Sequence, residues 1–180
     1  MKKLNRLTRV ALMAAVTAVC AQIIIPLPFT PIPFSLAIVA VLLCGTLLDK
    51  QSALLAQTVY LLLGLIGLPV FSGFAGGPAK LFGPTGGYIF SYLFAAFLTA
   101  LLLEKLGNRS LPILIVSMVA GLAVCYLMGT AWLAYLTKMS FIEALAAGVL
   151  PFVAFDLVKI FLAGLLTIAL AKPLAALRAQ

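Results

Sequence analysis

The sequence predicts an all-α membrane protein in which six transmembrane helices form a single domain over residues 1–180. Of its 180 residues, 65% are hydrophobic and 9% are charged, and the mean hydropathy is +1.27. Soluble domains carry about 25% charged residues. Residues 10–48 contain no charged side chain, and no polar block is long enough for a soluble domain. Because lipid cannot satisfy backbone hydrogen bonds, segments this apolar are expected to cross the membrane as helices.

Six apolar segments approach the length of about 20 residues that a helix needs to cross a bilayer. Residues 2–9 are basic, like the start of a signal peptide, but the apolar run that follows continues to Ile25. Because this run is longer than the apolar core of a signal peptide, we expect a first membrane helix rather than a cleaved leader. The four prolines of residues 26–34 should end it in an extended connection. The predicted helices span residues 7–25, 33–48, 51–68, 85–106, 111–136 and 141–171.

The lysine and arginine residues predict how these helices are oriented. Nine of the twelve fall at the termini or in connections on the same side of the membrane, and only Lys80 and Lys138 fall on the other side. Lys159 lies within the last helix. Since positive residues collect on the cytoplasmic side, both termini are expected in the cytoplasm, and the long connection between helices 3 and 4 is expected outside. The net charge of +8 then reflects contact with anionic membrane lipid, and no nucleic-acid partner is expected.

That outer connection, residues 67–88 (GLPVFSGFAGGPAKLFGPTGGY), is too rich in glycine and proline to form a regular helix. A plain linker would carry fewer aromatic residues. We therefore expect a lid that closes over a small ligand held among the helices. Together with the start of the following helix, the connection supplies a lysine and several large aromatic side chains, among them Phe71, Phe74, Lys80, Phe82, Tyr88 and Tyr92.

The first helix carries small side chains at a spacing of four residues. Ala11 pairs in this way with Ala15, and Ala14 with Ala18, on nearby faces. Small residues let a second helix approach closely where lipid gives no hydrophobic incentive to associate. These faces either pack within the protein or dock another membrane protein, and both alternatives stay open.

Two charges lie inside the last predicted helix. Asp156 and Lys159 are three residues apart and therefore share one helix face. A charge at mid-membrane costs about 2.5 to 3.5 kcal/mol even on the lenient insertion scale. The pair must face an interior, either as a structural ion pair or as a site for a polar ligand. Gln57 of the third helix should also point inward, where it bonds either another helix or the ligand.

The residue types that most catalysis needs are missing or scattered. The chain has no histidine, and its four carboxylates are too far apart in sequence to predict a metal centre or an acid–base dyad. The GPTGG run at 83–87 lacks the GxxxxGK[ST] pattern of a nucleotide-binding loop. The three cysteines lie in apolar segments and are expected to be inert core residues. The sequence thus predicts a binding protein that needs no cofactor or metal and does not itself hydrolyse ATP.

Four motifs together resemble a known family. They are GLPVFSG at 67–73, GPTGGY at 83–88, GTAWL at 129–133 and LPFVAFDLVKI at 150–160. In this order and spacing they resemble the BioY family, the biotin-specific substrate-binding subunits, or S components, of energy-coupling factor (ECF) transporters. The resemblance implies a six-helix protein of the bacterial plasma membrane that captures biotin from outside. It also implies association with a transmembrane coupling subunit and two ATPases.

The resemblance further implies roles for the residues already singled out. Asp156 would accept from the N–H groups of the ureido ring of biotin, and Lys159 would donate to the ureido oxygen or to the carboxylate. Gln57 would complement either end. Lys80 is either a solvated charge, which we favour, or a contact to the carboxylate. The alanine faces of helix 1 would dock the coupling subunit. The apolar ring system would be enclosed by Tyr88, Tyr92, Phe71 and Phe74.

Two other functions stay open on the sequence alone. A self-sufficient biotin facilitator would need no ATPase and would differ only in its dependence on partners. An integral membrane enzyme acting on lipid is less favoured, because it would need an acid–base cluster that the sequence lacks.

Overall fold

The computed structural model describes residues 2–25, 28, 30 and 32–178, and within them the protein is all-helical apart from one short hairpin. Side chains are described for 4–25, 28, 30 and 32–170. The helices are α1 Lys2–Gln22, α2 Ala37–Leu47, α3 Lys50–Leu65, α4 Pro78–Leu81, α5 Gly86–Leu106, α6 Leu111–Thr137, α7 Phe141–Gly148 and α8 Val153–Arg178. The strands β1 Ile24–Ile25 and β2 Phe34–Ser35 pair antiparallel.

Four of the described helices are long and apolar enough to cross a membrane. The apolar stretches are Leu4–Gln22 of α1, Gly86–Leu106 of α5, Leu111–Thr137 of α6 and Val153–Leu170 of α8. The apolar helix α2 is shorter, with 11 residues, and α3 has 16. This pattern is that of the multi-pass membrane protein that the composition predicts.

The last predicted helix, residues 141–171, is interrupted in the structure. Helix α7 ends at Gly148 and α8 begins at Val153, with Pro151 between them. The prediction of one continuous helix is wrong because proline has no backbone N–H and drives the residue before it out of the helical region. The interruption matters for function, since it places the end of one helix and the start of another beside the same cavity.

The connection between α1 and α2 also departs from the predicted boundaries. Helix α1 ends at Gln22 and α2 begins at Ala37, because the intervening chain forms the β1–β2 hairpin. The Leu36 N–H donates to the Ile23 carbonyl at 3.2 Å and extends this pairing. Residues 26, 27, 29 and 31 of the predicted proline-rich connection lie outside the described residues.

Helix α5 lies at the centre of the bundle and packs against α2, α3 and α6. Small residues permit the close crossings. A Cβ atom on Gly45 of α2 would lie 2.7 Å from the Ala96 carbonyl oxygen, and one on Gly121 of α6 would overlap the Thr99 hydroxyl. The same hydroxyl donates to the Ser117 carbonyl at 3.3 Å. These contacts fix the helices that surround the cavity, as small residues do where lipid supplies no driving force.

Candidate functional site

A cavity of about 460 Å³, counting its open part, lies between the β1–β2 hairpin and helices α2, α5, α6, α7 and α8. Apolar walls with a few placed polar groups are typical of small-molecule sites. The charged and aromatic residues of the wall are Tyr88, Tyr92, Tyr126, Phe152, Asp156 and Lys159. Four of the eight predicted ligand contacts therefore meet here, namely Tyr88, Tyr92, Asp156 and Lys159.

Asp156 and Lys159 form a buried ion pair in this cavity. The Lys159 Nζ atom lies 2.8 Å from Asp156 Oδ1, and the two side chains are 11% and 8% exposed, respectively. The Tyr126 hydroxyl donates to Asp156 Oδ2 at 2.6 Å, and Lys159 Nζ donates to the Ser35 backbone carbonyl at 2.9 Å. The four groups form one network across α6, α8 and β2. Each buried charge therefore has a partner, and the large desolvation penalty of an unpaired buried charge does not arise.

Phe34 gives the hairpin a second attachment to α8. The Lys159 ammonium lies 3.6 Å from the centre of the Phe34 ring, within the range of a cation–π interaction. The same ring packs against Phe152 and Phe155, whose ring centroids lie 6.5 and 5.5 Å away. Lys159 therefore contacts both the cavity and the hairpin that borders it.

Two glycines form the slot that holds Tyr88. A Cβ atom on Gly129 would overlap the Tyr88 ring, and one on Gly148 would overlap its hydroxyl. That hydroxyl donates to the Gly148 carbonyl at 3.2 Å. The carbonyl is available because α7 ends at this residue. The helix interruption and the two glycines thus position an aromatic wall of the cavity.

Phe71 lies behind the cavity wall rather than in it. It is fully buried, and its ring centroid lies 5.5 Å from that of Tyr60, which in turn lies 6.3 Å from that of Tyr92. Gly64 leaves the necessary space, since a Cβ atom there would overlap the Phe71 ring. Phe71 therefore supports the cavity-lining Tyr92 through Tyr60 instead of contacting the cavity.

The remainder of the outer connection, residues 67–87, supplies no described residue to the cavity wall. Gln22 at the end of α1 holds it: its Nε2 donates to the Val70 carbonyl at 3.1 Å, and its Oε1 accepts from the Phe74 N–H at 2.7 Å. The Phe74 side chain is 72% exposed, and Lys80 lies half-buried in α4. The β1–β2 hairpin, rather than this connection, borders the cavity.

Gln57 bonds a neighbouring helix. It is fully buried in α3, and its Nε2 donates to the Thr17 hydroxyl of α1 at 3.2 Å. The cavity wall does not include it. Of the two alternatives that the sequence leaves open for Gln57, the structure contains the contact between helices.

The four alanines of α1 have different surroundings. Ala14 is 2% exposed and Ala18 is half-buried, so this pair faces into the bundle. Ala11 and Ala15 are exposed on its outside, as is Val19 one turn beyond Ala15. The inward pair packs within the protein, and the outward pair leaves a small-residue face on the surface.

The GPTGGY motif attaches the start of α5 to α6. Trp132 Nε1 donates to the Gly83 carbonyl at 2.9 Å, and a Cβ atom on Gly87 would overlap the Trp132 side chain. Tyr88 follows directly and lines the cavity. The motif therefore acts as a packing element that sets the position of a cavity residue.

Replacing Gly87 with valine is expected to lower the melting temperature of the purified protein by roughly 5 °C, because overpacking against Trp132 costs about 1–3 kcal/mol. Thermal unfolding in detergent measures the change. Ala79→Val, at an exposed position of α4, is the matched control and should leave the melting temperature unchanged. Equal melting temperatures for the two variants would contradict the packing role.

Two residues of the polar network are not predicted from the sequence. Tyr126 lies 30 positions before Asp156 on another helix, and its only signal is a hydroxyl in an otherwise apolar segment. Ser35 contributes its backbone carbonyl, and because every residue has one, the amino-acid sequence does not indicate this contact.

Comparison with known proteins places this geometry in a family. The BioY family profile matches residues 1–176. The chain is 39% identical over 169 residues to biotin transporter BioY of Thermotoga maritima, covering 94% of this chain and 97% of that one. It is 37% identical over 172 residues to biotin transporter BioY2 of Lactococcus lactis subsp. cremoris, covering 96% and 93%.

Solved structures share the fold. The crystal structure of the S-component for biotin from an ECF-type ABC transporter matches with a TM-score of 0.89 at 29% identity, covering 95% of this chain and 93% of that one. The S component of a bacterial ECF transporter shares the fold with a TM-score of 0.51 at 18% identity. The resemblance seen in the four motifs is confirmed over nearly the whole length, and the chain belongs to the BioY family.

Proposed function

We propose that the chain is the biotin-binding S component of an ECF-type vitamin uptake transporter in the bacterial cell membrane. The relatives in Thermotoga and Lactococcus are named biotin transporters, and the similar solved structure is an S component for biotin. The observation that carries the proposal for this chain is the buried Asp156–Lys159 pair in an otherwise mostly apolar cavity.

The pair matches the ureido ring of biotin. That ring carries two N–H donors and one carbonyl acceptor, and the cavity wall offers a carboxylate acceptor and an ammonium donor. Lys159 has three N–H donors, of which one reaches Asp156 and one reaches the Ser35 carbonyl. The third donor lies beside the Phe34 ring, and we propose that it turns to the ureido oxygen when biotin binds, while Asp156 accepts from a ureido N–H.

The charge balance of the site orients the ligand. Asp156 and Lys159 together carry no net charge, so a neutral ureido group enters without adding a buried charge. The biotin carboxylate at the same position would leave a net negative charge in a site that is about 90% buried. We therefore infer that the ureido ring contacts Asp156 and Lys159 and that the carboxylate points away from the pair. Tyr88, Tyr92 and Phe152 line the cavity and would contact the apolar body of biotin.

The membrane topology we propose has six crossings with both termini in the cytoplasm. Four long apolar helices support it, and α2 and α3 supply the two shorter crossings. Basic residues from separate segments also meet at one end of the bundle, as the positive-inside rule requires. These contacts are Arg6 Nε to Ser52 Oγ at 2.8 Å, Lys50 Nζ to Glu104 Oε2 at 2.9 Å and Arg109 Nη1 to the Thr46 carbonyl at 2.7 Å.

The partners we propose are a transmembrane coupling subunit and two ATPases. The chain carries no nucleotide-binding pattern, so the energy for uptake comes from the ATPases. The exposed Ala11 and Ala15 face offers the coupling subunit a close helix contact. A facilitator that works alone is the alternative that the uptake experiment separates.

Equilibrium binding to the purified protein tests the function. Biotin is expected to bind, whereas thiamine should not bind at the same concentration because its positive charge would lie beside Lys159. Riboflavin, with a larger ring system, should be excluded by size. Failure of biotin to bind, or equal binding of all three vitamins, would contradict the proposal.

Uptake of labelled biotin then tests the partners. Cells that express the chain with the coupling subunit and ATPases are expected to accumulate biotin, and cells that express the chain alone are not. Equal uptake in both would favour the self-sufficient facilitator.

A further inference from the structure

We propose that Tyr126 is a positioning residue of the binding site, which fixes the orientation of the Asp156 carboxylate so that it meets a ureido N–H. The inference rests on the proposed function, since it concerns how the same cavity recognises biotin. Tyr126 acts through Asp156, and its role is distinct from that of the aromatic walls.

The carboxylate of Asp156 is held at both oxygens. Tyr126 donates to Oδ2 at 2.6 Å from α6, and Lys159 donates to Oδ1 at 2.8 Å from within α8. Terminal carboxylate torsions are broad and roughly two-fold when nothing restrains them. Donors from two different helices restrain this one, so the lone pairs that stay free on each oxygen point in fixed directions.

Because Asp156 is buried, loss of the Tyr126 donor should change the orientation of its carboxylate. Asp156 is 6% exposed, so water cannot readily replace a missing donor. Tyr126 and Asp156 both line the cavity, and the hydroxyl of Tyr126 donates to the carboxylate of Asp156. A phenylalanine at this position would keep the ring and remove only the donor.

The other two cavity tyrosines do not share this position. The Tyr88 hydroxyl donates to the Gly148 carbonyl at 3.2 Å, and the Tyr92 ring packs 6.3 Å from Tyr60. Tyr126 is the cavity tyrosine whose hydroxyl bonds Asp156 in the described part of the chain. The assignment therefore depends on one measurable hydrogen bond.

Tyr126→Phe is expected to raise the dissociation constant of biotin about tenfold, the size of a charge-assisted hydrogen bond. The matched control is Tyr135→Phe on the same helix. Tyr135 is 72% exposed, and loss of its hydroxyl should leave the dissociation constant of biotin unchanged. Melting temperatures of the ligand-free proteins verify that both variants fold.

A double-mutant cycle with Asp156→Asn separates positioning from a merely structural role. If Tyr126 acts through the carboxylate, its tenfold effect should shrink to roughly threefold or less in the Asp156→Asn background. The same tenfold factor in both backgrounds would show that Tyr126 acts independently of Asp156 and would overturn the proposal. Wild-type affinity in Tyr126→Phe would overturn it as well.

Infrared spectroscopy of the ligand-free protein tests the positioning role of Tyr126 independently of biotin binding. The infrared carboxylate stretch of Asp156, identified by its loss in Asp156→Asn, is expected to shift in Tyr126→Phe and to stay in place in Tyr135→Phe. An unshifted band would overturn the positioning role while leaving the proposed function intact. Absence of biotin binding in the unmodified protein would instead overturn the proposed function and this role with it.

Discussion

Replacing Lys159 with methionine is expected to weaken biotin binding about 10- to 100-fold, since a hydrogen bond from a charged donor contributes about 1.5–3 kcal/mol. Methionine keeps much of the length and apolar volume of the lysine side chain. It removes the donor proposed for the ureido oxygen and leaves the Asp156 carboxylate without its positive partner. Equilibrium binding of labelled biotin to the purified variant measures the effect.

Lys80→Met is the matched control for this experiment. Lys80 lies in α4, away from the cavity wall, and its replacement should leave the affinity for biotin unchanged. Unchanged affinity in Lys159→Met would remove Lys159 from the site. Loss of affinity in Lys80→Met would instead restore the alternative that Lys80 contacts the biotin carboxylate.

Ala15→Trp is expected to abolish uptake of biotin in cells while the purified protein still binds it. The exposed alanine face of α1 permits a close helix contact, which a large indole would prevent. The cavity lies among other helices and does not include Ala15. Uptake of labelled biotin with coexpressed partners, compared with equilibrium binding, measures the two effects separately.

Two controls sharpen this result. Val116→Trp places the same side chain at a 61% exposed position of α6 and should leave both uptake and binding intact. Ala14→Trp, at the 2% exposed position beside Ala15, should reduce the amount of folded protein because the indole has no space. Loss of uptake and binding together in Ala15→Trp would argue against a separate docking face.

Local physical chemistry was sufficient to predict the long helices and the buried charges. The length of an apolar run can be compared directly with the thickness of a bilayer. The free-energy cost of placing Asp156 and Lys159 in lipid follows from the apolar residues around them in sequence. The interruption near Pro151 also has a local cause. The apolar pattern nevertheless continues across Pro151, so hydrophobicity alone predicts one continuous helix and does not show that a backbone N–H is missing.

The placement of other candidate residues depends on contacts between distant segments. Nothing near Gln57 in sequence specifies Thr17 as its partner, and nothing near Phe71 specifies the space left by Gly64. Phe74 is exposed because Gln22 holds the backbone of its loop against α1. Composition shows that such residues are unusual for a linker, but only the packed structure decides which of them reach the cavity.

The pairing of Asp156 with Lys159, and of Lys159 with the Ser35 carbonyl, affects the release of ligand as well as its capture. When biotin leaves, the two charges remain compensated by each other and by groups of the protein. Emptying the site therefore strands no buried charge. A lone lysine that relied on the ligand for compensation would favour retention, whereas this self-compensated pair suits a subunit that must give up its vitamin and return empty for the next one.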